Sequence, residues 1–378
     1  MNGNRSLVIV QPYVPKYRFA FFEQLISSLA DHGIDCKIAA SNPDALQGAR
    51  GDAVSPSWVN PIQQRSLAVG KKSIGLGGAR PAWKNADGVI LGLVGSSLDT
   101  YMALLDAKRR DLKVGLWGHV KPYVNDGNAI DLALERLQMA AADHIFAYTP
   151  GGASYARDAG VNGSKITTVM NSVDTTALAD AAGKVSPDAA SEFANRNGVV
   201  AGKTLAFIGG LDESKRIEFL AAALDILWVE DPELKVLIGG RGEQEILLHR
   251  AVSRGQCVLL GYVDHFQQAL IARTASALLM PGRIGLVAVD ALVLGLPIIT
   301  TNWPYHAPEA EYLAEGTSRV TSDNTVEAFV ATIRDFIARN PMPSGQSFLA
   351  RPYPSIQDMV SNYVSGVLTM MAAKDGTE

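Results

Sequence analysis

The loop Gly209-Gly210-Leu211-Asp212-Glu213-Ser214-Lys215-Arg216 joins two glycines to two cations at the start of a helical pattern. Glycines let a backbone approach a ligand closely, and a helix N-terminus beside a lysine suits a phosphate or diphosphate. A plain strand-to-helix turn with a solvated lysine explains the same residues. No G-x-x-x-x-G-K-[ST] occurs, so this is not a Walker A loop. A second loop, Gly239-Gly240-Arg241-Gly242-Glu243, is also glycine-dense. It lacks the full G-x-G-x-x-G with a later acidic residue, which argues against an ordinary NAD site. In a third stretch, Met280–Leu292, Pro281 to Gly285 turn the chain into a helix near Leu286. Free N–H groups at Leu286 and Val287 suit phosphate, and the Asp290 carboxylate suits ribose hydroxyls. An acidic residue complementing the helix dipole explains Asp290 equally well.

Trp117-Gly118-His119 follows an apolar strand pattern, which places His119 where it could donate to a sugar hydroxyl or stabilise developing charge. Pro15-Lys16-Tyr17-Arg18 precedes the first helix and either lines the same site or forms a simple turn. No His/Cys/Glu spacing suggests zinc, and no D-x-D offers carboxylates for a metal on a diphosphate.

Alternating short apolar runs and amphipathic stretches must position these loops. Runs such as Leu7–Gln11, Val89–Leu93, Leu205–Ile208 and Ile298–Thr300 read as strands, and Phe19–Leu29, Leu98–Arg109 and Ile217–Leu227 as helices. Alternating β and α predicts parallel sheets covered on both faces. In such sheets ligands bind beyond the carboxyl ends of the strands. The series restarts after an Ala-, Asp- and Gly-rich stretch. The expected domains are therefore 1–175, a linker region 176–202, and 203–350, with a C-terminal helix in 351–378 that returns to the first domain.

The 378 residues are 47% hydrophobic and 19% charged, which excludes a disordered chain. A net charge of −4 gives no reason to expect a nucleic-acid partner. Cys36 and Cys257 lie in strand-like runs and read as buried free thiols. No signal segment or membrane-spanning run is visible, so the expectation is a cytoplasmic protein, open to peripheral contact with the inner face of the membrane.

Together these segments resemble the family-4 retaining glycosyltransferases of the GT-B fold. Pro12–Arg18 resembles their opening loop, and Trp117-Gly118-His119 their histidine motif. Val169-Met170-Asn171-Ser172-Val173-Asp174 resembles "P-N-G-V-D", and Phe207–Lys215 "V-G-R-L…K". Ile238–Glu243 resembles "G-x-G-P-E", Gly261-Tyr262-Val263 the "G-x-V" beside the base, and Gly285–Pro297 the segment "G-L-V-x-L-E-A-M-A-x-G-L-P". The resemblance implies two Rossmann-like doubly wound domains facing across a cleft. It implies a metal-independent retaining transfer from a nucleoside-diphosphate sugar to a glycan, lipid-linked or small-molecule acceptor, without a cofactor. His119 and Lys215 would be catalytic. Gly209, Gly210, Gly240, Gly242, Tyr262, Val263, Gly285, Leu286, Val287 and Asp290 would join Lys215 around the donor, and Tyr17, Arg18 and Trp117 would lie on the acceptor side.

Three positions depart from the family pattern. Gly210 stands where the family has an arginine, Gly282 where it has the first glutamate of E-x7-E, and Asp290 where it has the second. Arg216, Arg241 or Arg283 could supply the missing cation. The departures also motivate another reading, a catalytically weakened scaffold or partner subunit. A sugar-nucleotide epimerase of the same fold is a third.

Overall fold

The computed structural model describes residues 4–43, 53–63, 65–69, 72–123, 129–339 and 352–372. The chain forms two units, Met1–Val173 with Ser355–Glu378, and Asp174–Pro354.

In chain order, the strands of the first unit are β1 (Arg5–Gln11), β2 (Val14–Pro15), β3 (Ile34–Ala40), β4 (Ala53–Val54), β5 (Val59–Pro61), β6 (Arg65–Val69), β7 (Lys72–Gly77), β8 (Gly88–Gly92), β9 (Lys113–Gly118), β10 (His144–Ala147) and β11 (Ile166–Thr168). Seven of them make a parallel sheet in the order β11-β10-β9-β8-β1-β3-β5. β2 pairs antiparallel with β4, and β6 with β7. β1 shows why this sheet needs cover on both faces. Leu7 and Ile9 enter one apolar cluster, with the helix Phe19–Asp31, while Val8 and Val10 enter the other, with Ala103 and Leu104 of the helix Leu98–Arg109. A strand points successive side chains to opposite faces, so an unbroken apolar run fits only a doubly covered sheet.

The last helix, Ile356–Met371, completes the first cluster with Ile356, Met359, Tyr363 and Val367 on one stripe. Ser355 and Asp358 form a capping box at its start. Gly366 lets it approach the sheet: a Cβ there would stand 2.6 Å from the Phe146 ring. Residues 373–378 of the segment 351–378, in which the sequence places this helix, lie outside the described residues.

The second unit adds β12 (Thr204–Ile208), β13 (Lys235–Gly239), β14 (Cys257–Gly261), β15 (Leu278–Met280), β16 (Ile298–Thr301) and β17 (Arg319–Ser322). They form one parallel sheet in the order β14-β13-β12-β15-β16-β17. This is the doubly wound order in which the chain reverses direction across the sheet beside its first strand. The reversal lies between β12 and β15, and in the first unit between β1 and β8.

The linker expectation needs correction. Residues 176–202 are not a soft connection. Thr175–Lys184 and Pro187–Arg196 are helices of the second unit, capped by Asp174 and Ser186, and the first of them packs on His265–Thr274 and Val287–Leu294. Alanine favours helix, and Pro187 occupies a first-turn position where its missing N–H is harmless. Cys36 and Cys257 are buried free thiols, both pushed up to about 12, chiefly by burial. Among the described residues no helix is long and apolar enough to cross a membrane.

Candidate functional site

In the second unit the loops after β12, β13 and β15 meet at the strand-order reversal. Gly209 N–H donates to Gly239 O at 2.9 Å, and Leu211 N–H to Arg241 O at 2.9 Å. A Cβ on Gly240 would overlap the Gly209 carbonyl, and one on Gly242 the Leu211 carbonyl. Gly240 and Gly242 are therefore required for loop-to-loop approach, a different cause from the ligand approach expected of them. Gly282 belongs to the same arrangement, because its backbone lies against Ser214 and Lys215.

This packing encloses Lys215. Its ammonium donates to Arg283 O, and Arg283 N–H donates to Ser214 O at 2.8 Å. Burial holds the Lys215 ammonium down at about 8; Arg283 adds to the depression, while Asp212 and the buried Glu309 oppose it. The Arg283 guanidinium donates to Tyr305 O at 3.1 Å and is itself lowered by burial. Arg216 is engaged elsewhere. It donates to Pro281 O at 3.1 Å, Thr301 Oγ1 at 3.3 Å and Asn324 Oδ1 at 2.6 Å, and covers the Phe219 ring at 4.1 Å. Of the three arginines considered for the missing cation, Arg216 is thus a clamp for the loops, which leaves Arg283 and the exposed Arg241.

Gly285, Leu286 and Val287 are half-buried at the start of the helix Val287–Leu294, one turn before Asp290. Burial raises the Asp290 carboxyl to about 7, and among the described residues no group pairs with it. His306 braces this loop, a role the sequence pattern did not show. Ile284 N–H donates to its Nδ1 at 3.2 Å, and its Nε2 lies 3.1 Å from Thr301 O. Those partners assign a neutral ring protonated on Nε2, consistent with burial lowering its pKa. Gly209 and Gly210 line the loop before Lys215, with Gly210 exposed. Tyr262 is 65% exposed after β14. Val263 corrects the expectation for its side chain: it is buried against Gly239, so only its backbone is available to a ligand.

In the first unit a cavity of about 510 Å³ opens beyond the carboxyl ends of β1, β8, β9 and β10. Gln11, Tyr17, Trp117, His119, Glu135 and Tyr148 are among its lining. The His119 ring lies edge-on to Tyr148 and Tyr123, with centroids 5.0 and 5.9 Å away. The chain that follows is strained. Lys121 N–H donates to His119 O at 2.8 Å across Val120, whose φ is +68°. This is a γ-turn of the rare hand, and a β-branched residue adopts it only when its surroundings impose it. Gly152 helps impose it, since a Cβ there would stand 2.5 Å from His119 O. Glu135 is raised, mainly by burial and also by Asp131, against a Gly95 hydrogen bond that lowers it.

Tyr17 is 43% exposed and lines the cavity. Trp117 lines it too, though its indole is almost wholly buried. Arg18 does not belong there. It is 3% exposed, donates to Asn171 Oδ1 at 2.6 Å, and lies 4.9 Å from the Trp117 ring centre. Its role is to tie the opening loop to the Asn171 motif behind the cavity wall.

Comparison with solved structures places this architecture. The Anabaena protein HepE in complex with UDP superposes with a TM-score of 0.68 at 12% identity, covering 96% of this chain and 99% of that one. A glycosyltransferase from Rickettsia africae gives 0.69 at 12% identity, with full coverage of both chains. The fold is GT-B. Residues 202–339 match the family described as Glycosyl transferases group 1, a span that contains every donor-side residue discussed above. A curated relative, the phosphatidyl-myo-inositol mannosyltransferase of Mycolicibacterium smegmatis, is 31% identical over 107 residues. That alignment covers 27% of this chain and spans only 28% of the relative's length.

Proposed function

We propose that this GT-B protein is a metal-independent retaining glycosyltransferase of family 4. The second unit would bind a nucleoside-diphosphate sugar, and the first unit an acceptor with a free hydroxyl. One observation carries the reading: the family match at 202–339 coincides with a strand-order reversal where Lys215 and Asp290 are held at depressed and raised pKa values. Perturbed titratable groups gather at functional sites because ligand and reaction require charges that folding alone disfavours.

In this reading Lys215, with Arg283 or Arg241, neutralises the diphosphate. An anion beside Lys215 restores its full charge by opposing the burial that lowers its pKa. Asp290 accepts hydrogen bonds from ribose hydroxyls. The bond from the anomeric carbon to the diphosphate oxygen breaks, and the acceptor oxygen bonds to that carbon on the same face. The acceptor proton passes to the departing phosphate. His119 stabilises charge on the transferred sugar or donates to one of its hydroxyls. The mannosyltransferase relative and the UDP complex of HepE support a sugar nucleotide as donor and a polar, glycan or lipid-linked acceptor.

Thermal melting against UDP-, GDP- and dTDP-sugars, each with and without EDTA, tests the proposal. A donor at 100 times its dissociation constant adds about 2.7 kcal/mol of stability. Stabilisation by one nucleotide class, unchanged by EDTA, is the expected result. No stabilisation by any of them would favour the scaffold reading. Release of a free epimerised sugar without any acceptor would favour the epimerase.

A further inference from the structure

Arg18 stands at the start of the helix Phe19–Asp31 and is almost wholly buried. Its guanidinium lies within cation–π range of four rings: Trp117 at 4.9 Å, Tyr17 at 5.2 Å, Tyr148 at 5.5 Å and Phe21 at 5.7 Å. Three of them, Tyr17, Trp117 and Tyr148, line the cavity that holds His119. Tyr148 also meets the His119 ring edge-on, with centroids 5.0 Å apart. One ring therefore touches both the buried guanidinium and the imidazole.

The backbone around Tyr148 is tied to the same guanidinium. Arg18 Nη2 donates to Asn171 Oδ1 at 2.6 Å. Asn171 N–H donates to Tyr148 O at 2.8 Å, and Tyr148 N–H to Gly118 O at 3.0 Å, one residue before His119. Arg18 Nη1 also donates to Met359 Sδ at 3.5 Å, and Ser172 N–H donates to the same sulfur at 3.3 Å. Met170, next to Asn171, has a φ of +58°. A residue other than glycine keeps that left-handed conformation only where its surroundings impose it. Val120, next to His119, is strained in the same sense. Strained residues of this kind gather where a site must be held in one geometry.

We propose that Arg18 is a positioning residue: it sets the orientation of the Tyr148 ring, and through that ring the orientation of the His119 imidazole in the cavity. A tie between the opening loop and Asn171 requires one donor. The contacts of Arg18 require more, because the same group donates to Asn171 and Met359 while standing among the rings of the cavity wall. A planar guanidinium does both at once. A lysine ammonium is a point charge on a flexible stem and reproduces neither the fork nor the stacking. The consequence for turnover rests on the transferase reading; the consequence for the His119 ring does not.

Proton–carbon NMR of the histidine rings, recorded on the full chain without any donor, tests the positioning. The sequence has six histidines, and the His119 resonance is the one lost in His119→Ala. Because a neighbouring aromatic ring shifts the protons beside it according to its orientation, Arg18→Lys should move the His119 resonance. It should leave those of the exposed His32 and His249 in place. Asn171→Ala, which keeps the cation and removes its acceptor, should move the His119 resonance as well, and serves if Arg18→Lys does not fold. In Tyr148→Leu, which removes the intervening ring, adding Arg18→Lys should cause no further movement. Once melting has identified the donor, Arg18→Lys should lower turnover roughly ten- to hundredfold with donor affinity unchanged, the scale on which a small misplacement of a reacting group acts. A folded Arg18→Lys or Asn171→Ala variant with a parental His119 resonance overturns the proposal. So does parental turnover in a folded Arg18→Lys variant, or loss of the fold in both variants, which would assign the cluster to stability alone. A moved resonance in a protein that binds no donor would leave the positioning of the ring standing and overturn only the transferase reading.

Discussion

The backbone of Gly282 lies so close to Ser214 that a Cβ at 282 would stand 2.5 Å from the Ser214 carbonyl oxygen, and 2.5 Å from the Lys215 carbonyl carbon. This accounts for the missing first glutamate of E-x7-E. Any side chain at 282 would push apart the loops after β12 and β15, and with them the carbonyl that holds the Lys215 ammonium. Gly282→Ala should therefore destabilise by about 1–3 kcal/mol, the usual scale of overpacking. Gly282→Glu should do the same and gain no donor affinity. Melting temperatures check both, and an unchanged value would show that these loops part freely.

Asp290 has a pH signature. Its folded carboxyl titrates at about 7, against an ordinary value of 3.8. A raised folded pKa favours folding below the unfolded value, and that contribution is lost as pH rises through the folded one. Above pH 7 the charged Asp290 thus opposes folding, by at most about 4 kcal/mol for a shift of this size. Asp290→Asn should match the parent's stability near pH 4 and exceed it at pH 8. The same variant should bind nucleotide about ten- to hundredfold more weakly, since hydrogen bonds to charged groups contribute about 1.5–3 kcal/mol. Equal melting at pH 8 would contradict the burial argument; unchanged calorimetric binding would leave Asp290 without a ribose role.

His119 and Gly152 can be separated. His119→Ala removes a ring that lines the cavity and meets Tyr123 and Tyr148 edge-on, so it should cut transfer strongly and leave folding and nucleotide affinity nearly intact. Gly152→Ala keeps the ring but presses on the His119 carbonyl at the γ-turn. It should lower turnover while altering acceptor KM, and reduce the melting temperature by a few degrees, as about 1 kcal/mol does in a unit of this size. If His119→Ala melts early yet turns over normally, the histidine is structural.

What the sequence disclosed depended on whether the cause was local. The helix Leu98–Arg109 has the bounds its pattern predicts, because Ser97 caps it and Ala103 and Leu104 mark its buried side. The strands were legible because parallel sheets need unbroken apolar runs. The helices in 175–196 went unread because alanine and aspartate give little amphipathic signal, although Asp174, Ser186 and Pro187 are recognisable start signals. Among the described residues β6 and β7 pair with each other, antiparallel, in a sheet separate from the seven-stranded one, and the sequence pattern does not announce them. Arg18, Gly240, Gly242 and Gly282 are explained by chain segments distant in sequence, so no local pattern could assign them.

Lys215 shows the same conflict between folding and ligand as Asp290, with the opposite charge. Its folded pKa is about 8, against 10.5 in the unfolded chain, chiefly because it is buried. A depressed folded pKa means that the unfolded chain binds more protons between those values. The stabilising contribution is present above 10.5 and is lost as pH falls through 8. At pH 7 a charged Lys215 therefore opposes folding, by at most about 3 kcal/mol. Lys215→Met keeps most of the volume and removes the charge. Without ligand it should melt higher than the parent at pH 7, and the gap should close as pH rises toward 10.5. Its turnover should fall by about 10²–10³, the scale of losing a preorganised charge that stabilises a leaving group. The loss should appear in turnover more than in donor affinity, because the charge on the diphosphate grows as the bond breaks. Added Mg²⁺ should not restore it. Steady-state kinetics at saturating acceptor decide the matter. A variant within threefold of the parent would transfer the diphosphate role to Arg283 or Arg241 and leave Lys215 a buried brace for the Arg283 carbonyl.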